Sequence, residues 1–431
     1  MNTAVPALPT APSSKPDSKI SLPWFALLAL TGLNLFNYLD RQVLAAVLPS
    51  VKEELHLSYT EGGMLATAFM LGYFLTSPFF GYLGDRMARK WLIAAGVAVW
   101  SLGTIFSGLA VGLWSLIAFR VLVGFGEASY GTLSPGWIAD LFSPARRNNA
   151  LTFFYIAIPV GSALGQIIGG HVDKAWGWRA AFYFAGAPGL LLALGVLALR
   201  EPRRGASEPA GPAAESAEKT EPSGFRAYLR LLHFPTYLLV VAGYVAQTFA
   251  MGGFAYWAGT FLHDVHGMEK DAANDFFGVA LVGTGLVATF TGGFAATWWR
   301  RRHPAGYAWV LALSALAAAP AAWVAVTHAD LAVTKGALAA AMFFLFLSTG
   351  PVNTLILETV PVAMRASAMA ASIFAIHALG DVWAQFILGA LADFFASMQR
   401  AMLILPVALA VSAAFWLCLA VRTQRATRPA G

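Results

Sequence analysis

Twelve apolar runs, each about long enough to cross a bilayer, occupy most of this sequence. A membrane-spanning helix requires about 20 predominantly apolar residues. Only 12% of the 431 residues are charged and 58% are apolar, whereas a soluble domain has about 25% charged residues. The sequence therefore predicts an all-α membrane protein with twelve transmembrane helices. The runs lie near 22–49, 61–83, 91–110, 114–139, 149–170, 180–199, 235–262, 275–299, 305–327, 334–357, 366–391 and 401–421.

Basic residues concentrate at alternate ends of these runs. With the N-terminus in the cytoplasm, twenty of the 28 lysines and arginines fall on the cytoplasmic side and six outside, while Arg41 and Arg120 lie within spans. This bias follows the positive-inside rule and predicts a multi-pass protein of a bacterial-type inner membrane, with both termini cytoplasmic. The isoelectric point near 9.4 then reflects topology, and we expect no nucleic-acid partner.

The runs form two groups of six around a polar stretch. We predict a cytoplasmic tail at 1–21, a six-helix bundle at 22–199, a cytoplasmic linker at 200–234, a second bundle at 235–421 and a tail at 422–431. The linker is rich in Ala, Glu, Pro and Ser and has no apolar period, a composition typical of flexible segments.

Two pairs of similar loops indicate an internal duplication. "GYLGDRMARK" follows the second span and "GGFAATWWRRR" the eighth, which places Gly81 and Gly293 212 residues apart. "DLFSPARRNNA" and "ETVPVAMRASA" pair Asp140 with Glu358 at a shift of 218. Nearly equal shifts predict duplicated halves, an arrangement typical of transporters whose substrate site lies where the halves meet.

Four ionisable residues lie within the first and fourth spans: Asp40, Arg41, Arg120 and Glu127. At a rise of about 1.5 Å per residue, Asp40 lies roughly 14 Å, Arg120 about 9 Å and Glu127 about 20 Å below the outer surface. Because charges at this depth usually mark a pathway, we expect a polar network across a water-filled cavity. The alternative is a structural cluster of ion pairs that fixes the packing of the two spans.

The ionisable residues suggest separate roles. An arginine can hold a phosphate or carboxylate by two hydrogen bonds. Glu127, the deepest and flanked by small residues, is the better candidate for a proton carrier, and Asp40 is the second. In the eleventh span His377 and Asp381 lie one turn apart, where they form either a proton relay or a satisfied polar pair between helices.

"GYLGDRMARK" resembles the loop signature of the major facilitator superfamily, with Ala88 where a second glycine is usual. The resemblance implies a charge clamp that joins the halves in one state and releases them in another. Thr297 replaces the aspartate in the second copy, so we expect a clamp on the N-terminal side alone. The candidate clamp residues are Gly81, Asp85, Arg86, Arg89, Lys90 and Arg147.

"NYLDR", "GEASYGTLSPGWIADLF", "FFYIAIPVGSALGQIIGG", "WGWRAAFY" and "HALGD" together resemble the spinster family. Members of that family are proton- or gradient-driven lipid transporters, and animal relatives move sphingosine-1-phosphate or lysophospholipids. The resemblance implies that Asp40 and Glu127, the two candidates for proton coupling, line the cavity. It also implies that Tyr38, Arg41, Arg120 and Tyr155 line this cavity and that His377 and Asp381 face it from the other half. With Asn37, these are the candidate substrate-binding residues.

We therefore expect a secondary active transporter that moves an amphipathic lipid-like substrate by alternating access with proton coupling. The alternatives are a carrier of a small polar solute or drug, and a non-transporting sensor or scramblase on the same fold. The sequence has no phosphate-binding loop, metal-ligand cluster or nucleophile-and-base motif, so we expect no cofactor, metal, catalytic residue or enzymatic activity. We also expect a monomer, anchored at one interface by Trp298 and Trp299.

Overall fold

The computed structural model describes residues 22–84, 86–203, 207, 229–361 and 364–426, and the regular structure of this part is helical. In these described ranges, twelve spans form two six-span bundles, which confirms the predicted fold class. The helices are α1 (Leu22–Leu55), α2 (Tyr59–Gly84), α3 (Arg89–Ser107), α4 (Leu113–Leu141), α5 (Pro144–Trp176), α6 (Trp178–Ala198), α7 (Pro235–His266), α8 (Lys270–Arg300), α9 (Gly306–Thr327), α10 (Leu331–Leu347), α11 (Thr349–Glu358), α12 (Arg365–Ile376), α13 (Val382–Phe394), α14 (Met398–Met402) and α15 (Ile404–Ala426).

Three of the spans are interrupted. The tenth consists of α10 and α11, and the twelfth of α14 and α15. In the eleventh, a π-helical turn at His377–Asp381 separates α12 from α13. Ten segments in the described part of the chain are long and apolar enough to cross a membrane, and α1 and α4, which carry the four charges, are not among them.

Several helices extend beyond the predicted apolar runs. α1 continues to Leu55 and α5 to Trp176, whereas the runs end near 49 and 170. A helix satisfies its own backbone hydrogen bonds, so it does not need to stop where the hydrocarbon does. Gly267, with a left-handed φ of 65°, ends α7 because glycine adopts this conformation without a steric penalty.

Glycines of α5 allow its backbone to pack directly against the backbone of α1. A Cβ added at Gly161 would lie 2.4 Å from the Leu35 carbonyl oxygen, and one at Gly165 2.3 Å from that of Leu39. Small residues permit such close approach between membrane helices. The glycines of the fifth span therefore fix how α1 is rotated, and α1 carries Asp40 and Arg41.

The two bundles join at one end, which we call the outer end because the predicted orientation places it outside. Asp393 at the end of α13 accepts hydrogen bonds from the backbone N–H groups of Tyr59 (3.0 Å) and Thr60 (2.7 Å) at the start of α2. The Lys174 ammonium of α5 lies 2.7 Å from Asp271 of α8. We refer to these contacts as the outer seal.

At the opposite, inner end, an arginine of the repeated loop forms an ion pair in each half. The guanidinium of Arg89 pairs with Asp140 and lies 3.3 Å from Glu201. In the second bundle Arg300 lies 3.7 Å from Glu358. The duplication pairs Asp140 with Glu358, so in each half this acid contacts an arginine of the repeated loop. The arginines differ by one position, because the shift of 212 matches Arg89 with Arg301 and not with Arg300.

The candidate clamp residues lie around this N-terminal ion pair. Arg86 stacks on the Tyr82 ring, 3.6 Å from its centroid, and the backbone N–H of Lys90 donates to Glu201 over 3.1 Å. Gly81 lines the same surface depression as Arg89. Asp85 and the side chain of Arg147 lie outside the described residues, so the clamp stays a prediction.

Candidate substrate cavity

A cavity of about 320 Å³ lies between the two bundles. Helices α1, α2, α4 and α5 form one wall, and α7, the π-helical turn and α13 form the other. Its volume is near the lower end of the range for ligand pockets. The residues that line it are Tyr38, Arg41, Gln42, Leu44, Ala66, Phe69, Met70, Arg120, Ser162, Met251, Gly252, Ala255, Tyr256, His377, Asp381 and Gln385.

Arg41 joins the cavity wall to the buried Glu127. Its Nε lies 2.6 Å from Glu127 Oε2, and the two side chains are 19% and 0% exposed. The guanidinium carbon lies 4.8 Å from the ring centroids of both Tyr38 and Tyr73 and 5.2 Å from that of Phe69. Three aromatic rings thus lie within cation–π distance of a guanidinium that also contacts Glu127 and lines the cavity.

Arg120 also lines the cavity but lacks a carboxylate partner at two of its nitrogens. The residue is 1% exposed, and its Nε and Nη1 atoms have no hydrogen-bond partner among the described residues. Its guanidinium carbon lies 5.1 Å from the ring centroid of Phe69. A buried guanidinium with unused donors is a strong attractor for an anion.

Asp40 points away from Arg41, its neighbour in sequence. Thr104 of α3 donates its hydroxyl to Asp40 Oδ2 over 2.5 Å, and Asp40 is 1% exposed. Asp40 and Glu127 therefore lie behind the wall instead of lining the cavity directly, which differs from the expectation. Successive helix residues point about 100° apart, so adjacent side chains cannot share a face.

The opposite wall carries the His–Asp pair of the eleventh span. His377 Nδ1 lies 3.0 and 3.1 Å from the two carboxylate oxygens of Asp381, and both residues line the cavity. The π-helical turn that contains them lies directly against α7, because a Cβ added at Gly252 would lie 2.8 Å from the Asp381 Cβ. Such turns occur often at functional sites.

Two of the predicted substrate residues lie elsewhere. Asn37 is 2% exposed, and its Nδ2 has no hydrogen-bond partner in the described part of the chain. Tyr155 is half exposed and packs edge-on against Phe154, with ring centroids 5.1 Å apart. The described lining of the cavity does not include either of them.

Sequence reasoning missed two glutamines that helical spacing indicates. Gln42 follows Tyr38 by four residues, and Gln385 follows Asp381 by four, so each continues a face already predicted to be functional. The Gln385 Oε1 atom is buried and has no hydrogen-bond partner among the described residues. Gln166 donates to Gln42 Oε1 over 3.1 Å and extends this polar wall behind the cavity.

A cavity with charged walls between two six-helix bundles is the arrangement of a multi-pass membrane transporter. The sequence matches the profile of the Major Facilitator Superfamily over residues 30–374. The chain belongs to this superfamily and, within it, to the spinster family, as the following comparisons show.

Named relatives support this assignment along most of the chain. Protein spinster of Drosophila melanogaster is 32% identical over 412 residues, which cover 90% of this chain but only 65% of that protein. Protein spinster homolog 3 of Danio rerio is 34% identical over 387 residues, with coverages of 86% and 77%. This chain thus spans a little under two thirds of the Drosophila protein.

A solved structure has the same architecture. The crystal structure of a bacterial homolog to the human lysosomal transporter Spinster, described as inward-facing and unoccupied, superposes with a TM-score of 0.83 at 25% identity. The match covers 96% of this chain and 100% of that one. The predicted resemblance to the major facilitator superfamily and its spinster family is confirmed.

Proposed function

We propose that this protein is a secondary active transporter that moves an amphipathic, anionic, lipid-like substrate by alternating access, coupled to protons. The contact between Arg41 and Glu127 is the observation that carries the proposal. It combines a cation on the cavity wall with a buried carboxylate that can hold a proton.

Competition for Arg41 supplies a coupling mechanism. While Glu127 is ionised, its Oε2 atom forms an ion pair with Arg41 Nε at a distance of 2.6 Å. Protonation would remove the charge-assisted part of that bond and free the guanidinium to bind an anionic head group. Glu127 Oε1, which has no hydrogen-bond partner among the described residues, is available to receive the proton. Proton and substrate binding would then strengthen each other, as linkage requires.

Arg120 supports an anionic substrate independently. Arg120 lines the cavity, and two of its nitrogens have no hydrogen-bond partner among the described residues. A phosphate or carboxylate accepts two parallel hydrogen bonds from a guanidinium, which a neutral sugar cannot do. The charges therefore favour an anionic cargo over a neutral solute.

Apolar space beside the cavity supports a substrate with a tail. A second cavity of about 610 Å³ lies between α7, α12 and α15, and Leu379, Val241 and Phe415 are among its lining residues. The π-helical turn contributes Leu379 to this apolar cavity and His377 to the central one. A head group in one and a tail in the other would suit an amphipathic molecule.

The outer seal supports a state that is open toward the inner end. We infer that the Asp393 and Lys174 contacts close the outer end, while the clamp residue Arg89 pairs with Asp140 within its own half. In the opposite state the outer seal would break and the predicted clamp would form across the halves.

The proposal is tested in proteoliposomes with a fluorescent lysophospholipid bearing an anionic head group, with and without a pH gradient. We expect Glu127→Gln to bind substrate but to lose the acceleration by the gradient. Arg120→Ala should raise the KM at least tenfold, since a charge-assisted bidentate contact is lost. Glu54→Gln, which removes a different arginine-paired glutamate at the outer end, is the matched control.

Gradient-driven uptake that is identical in wild type and Glu127→Gln would refute proton coupling through this residue. Competition of the uptake by neutral sugars, but not by lipids, would favour the small polar solute instead. Flux that never exceeds equilibrium, and that Arg120→Ala leaves intact, would identify a scramblase.

A further inference from the structure

A cavity of about 370 Å³ lies at the inner end, on the outside of the second bundle. Trp299 and His303 from the end of α8, Trp309 and Leu313 from α9, and Gln424 from α15 line it. We propose that this cavity is a binding site for an anionic phospholipid of the surrounding membrane, distinct from the transported substrate.

The shape of the cavity fits a molecule that crosses the membrane interface. Trp299 and His303 lie where α8 leaves the apolar span, whereas Leu313 lies two turns into α9 and is 46% exposed. Tryptophan is enriched at the level of the head groups because its ring is apolar with one polar edge. A head group would lie near His303 and an acyl chain along Leu313.

Hydrogen bonds fix the polar end of the site. His303 Nδ1 accepts the backbone N–H of Ala305 over 3.2 Å, so in neutral imidazole the proton resides on Nε2, which is a donor. The Trp309 indole N–H donates to Gln424 Oε1 over 3.2 Å and holds that ring between α9 and α15. The site therefore offers a donor to an oxygen-rich group.

The three arginines next to the site differ in the partners of their guanidinium groups. Arg300 lies 3.7 Å from Glu358 and is already paired. Arg302 lies with its guanidinium carbon 3.8 Å from the Trp298 ring centroid and is exposed, and Arg301 is exposed as well. Basic pockets between membrane helices bind anionic lipid head groups, and each such arginine contributes about 1 kcal/mol near a charged membrane surface. Charge complementarity therefore selects an anionic over a zwitterionic lipid.

The test measures binding of phosphatidylglycerol and phosphatidylcholine to the purified full chain in detergent micelles, by native mass spectrometry. We expect phosphatidylglycerol to bind more tightly, and Arg301→Gln/Arg302→Gln to weaken it about 25-fold, at about fivefold per arginine. Arg203→Gln, which removes an exposed inner-end arginine away from the cavity, should change the affinity less than twofold. His303→Ala is a milder variant of the same site and should also weaken binding.

Two further arms separate this site from other anion sites. Arg120→Ala should leave phosphatidylglycerol binding intact, since that residue lies in the central cavity. Inorganic phosphate should not compete at millimolar concentration, because it has no acyl chain. The proposal would be overturned by equal affinity for the two lipids or by unchanged binding in Arg301→Gln/Arg302→Gln. Loss of binding in Arg120→Ala alone, or competition by phosphate, would also overturn it.

Discussion

Asp393 closes the outer end of the molecule by capping a helix of the other half. Its carboxylate accepts hydrogen bonds from the backbone N–H groups of Tyr59 and Thr60 and from the Thr60 hydroxyl, at 3.0, 2.7 and 2.5 Å. These groups begin α2, where the first N–H groups of a helix have no partner within the helix. Replacing Asp393 by alanine removes all three acceptor contacts and leaves the donors to water.

The magnitude follows from the value of a helix cap. Loss of an N-capping side chain costs about 1 kcal/mol, and a negative charge at a helix N-terminus contributes about 0.3–1 kcal/mol more. Because the cap joins the two halves, this energy stabilises the closed outer end relative to the open one. We therefore expect Asp393→Ala to shift that equilibrium toward the open form by about 1–2 kcal/mol, or roughly 5- to 30-fold.

The assay is a spin-label distance measurement across the outer end. Labels are placed at Val111 of the first bundle and Arg400 of the second, both exposed, after Cys418 is changed to serine. Asp393→Ala should increase the fraction of molecules with a long distance between the two labels. In Asp393→Asn this fraction should lie between those of Asp393→Ala and wild type, since asparagine is also a good cap.

Asp330→Ala is the matched control. Asp330 also caps a helix at the outer end, accepting the Val333 N–H over 3.0 Å, but α10 belongs to its own half. It should lower stability by a similar amount without changing the distance distribution. Equal shifts in the two alanine variants, or no shift in Asp393→Ala, would refute the reasoning.

Two other perturbations test packing and pH dependence. Gly165→Ala should lower the unfolding temperature, because its Cβ would lie 2.3 Å from a backbone oxygen and overpacking costs about 1–3 kcal/mol. Gly195→Ala is the control and should not lower it, because the space around Gly195 is open. Equal unfolding temperatures in the two variants would contradict this reasoning. Burial lowers the pKa of Lys52, beyond the predicted first span, from 10.5 to about 8, with Asp264 and Asp393 opposing the shift. Lys52 therefore loses its proton at a lower pH when the outer end is closed than when it is open and Lys52 is solvated. Raising the pH from 8 to about 10 should therefore favour the closed form in the spin-label assay. Lys52→Met should abolish that dependence, and a variant that still responded would exclude Lys52 as the titrating group.

The sequence by itself determined the features that depend on local chemistry. Apolar runs of about 20 residues predicted the twelve spans, since a bilayer admits little else. A spacing of four predicted the contact between His377 and Asp381, which lies at 3.0 Å although a π-helical turn carries it. The repeated loops predicted the duplication, and in the structure both paired acids, Asp140 and Glu358, contact an arginine of the repeated loop, although the two arginines differ by one position in the repeat.

Only the tertiary structure decided which charges meet. Asp40 and Arg41 are adjacent, yet Arg41 contacts Glu127, 86 residues away, and Asp40 contacts Thr104. Helical periodicity assigns a residue to a face, but the rotation of that face depends on neighbouring helices. Here contacts such as Gly165 against the Leu39 carbonyl set the rotation of α1, and no local pattern within α1 encodes a contact that another helix provides.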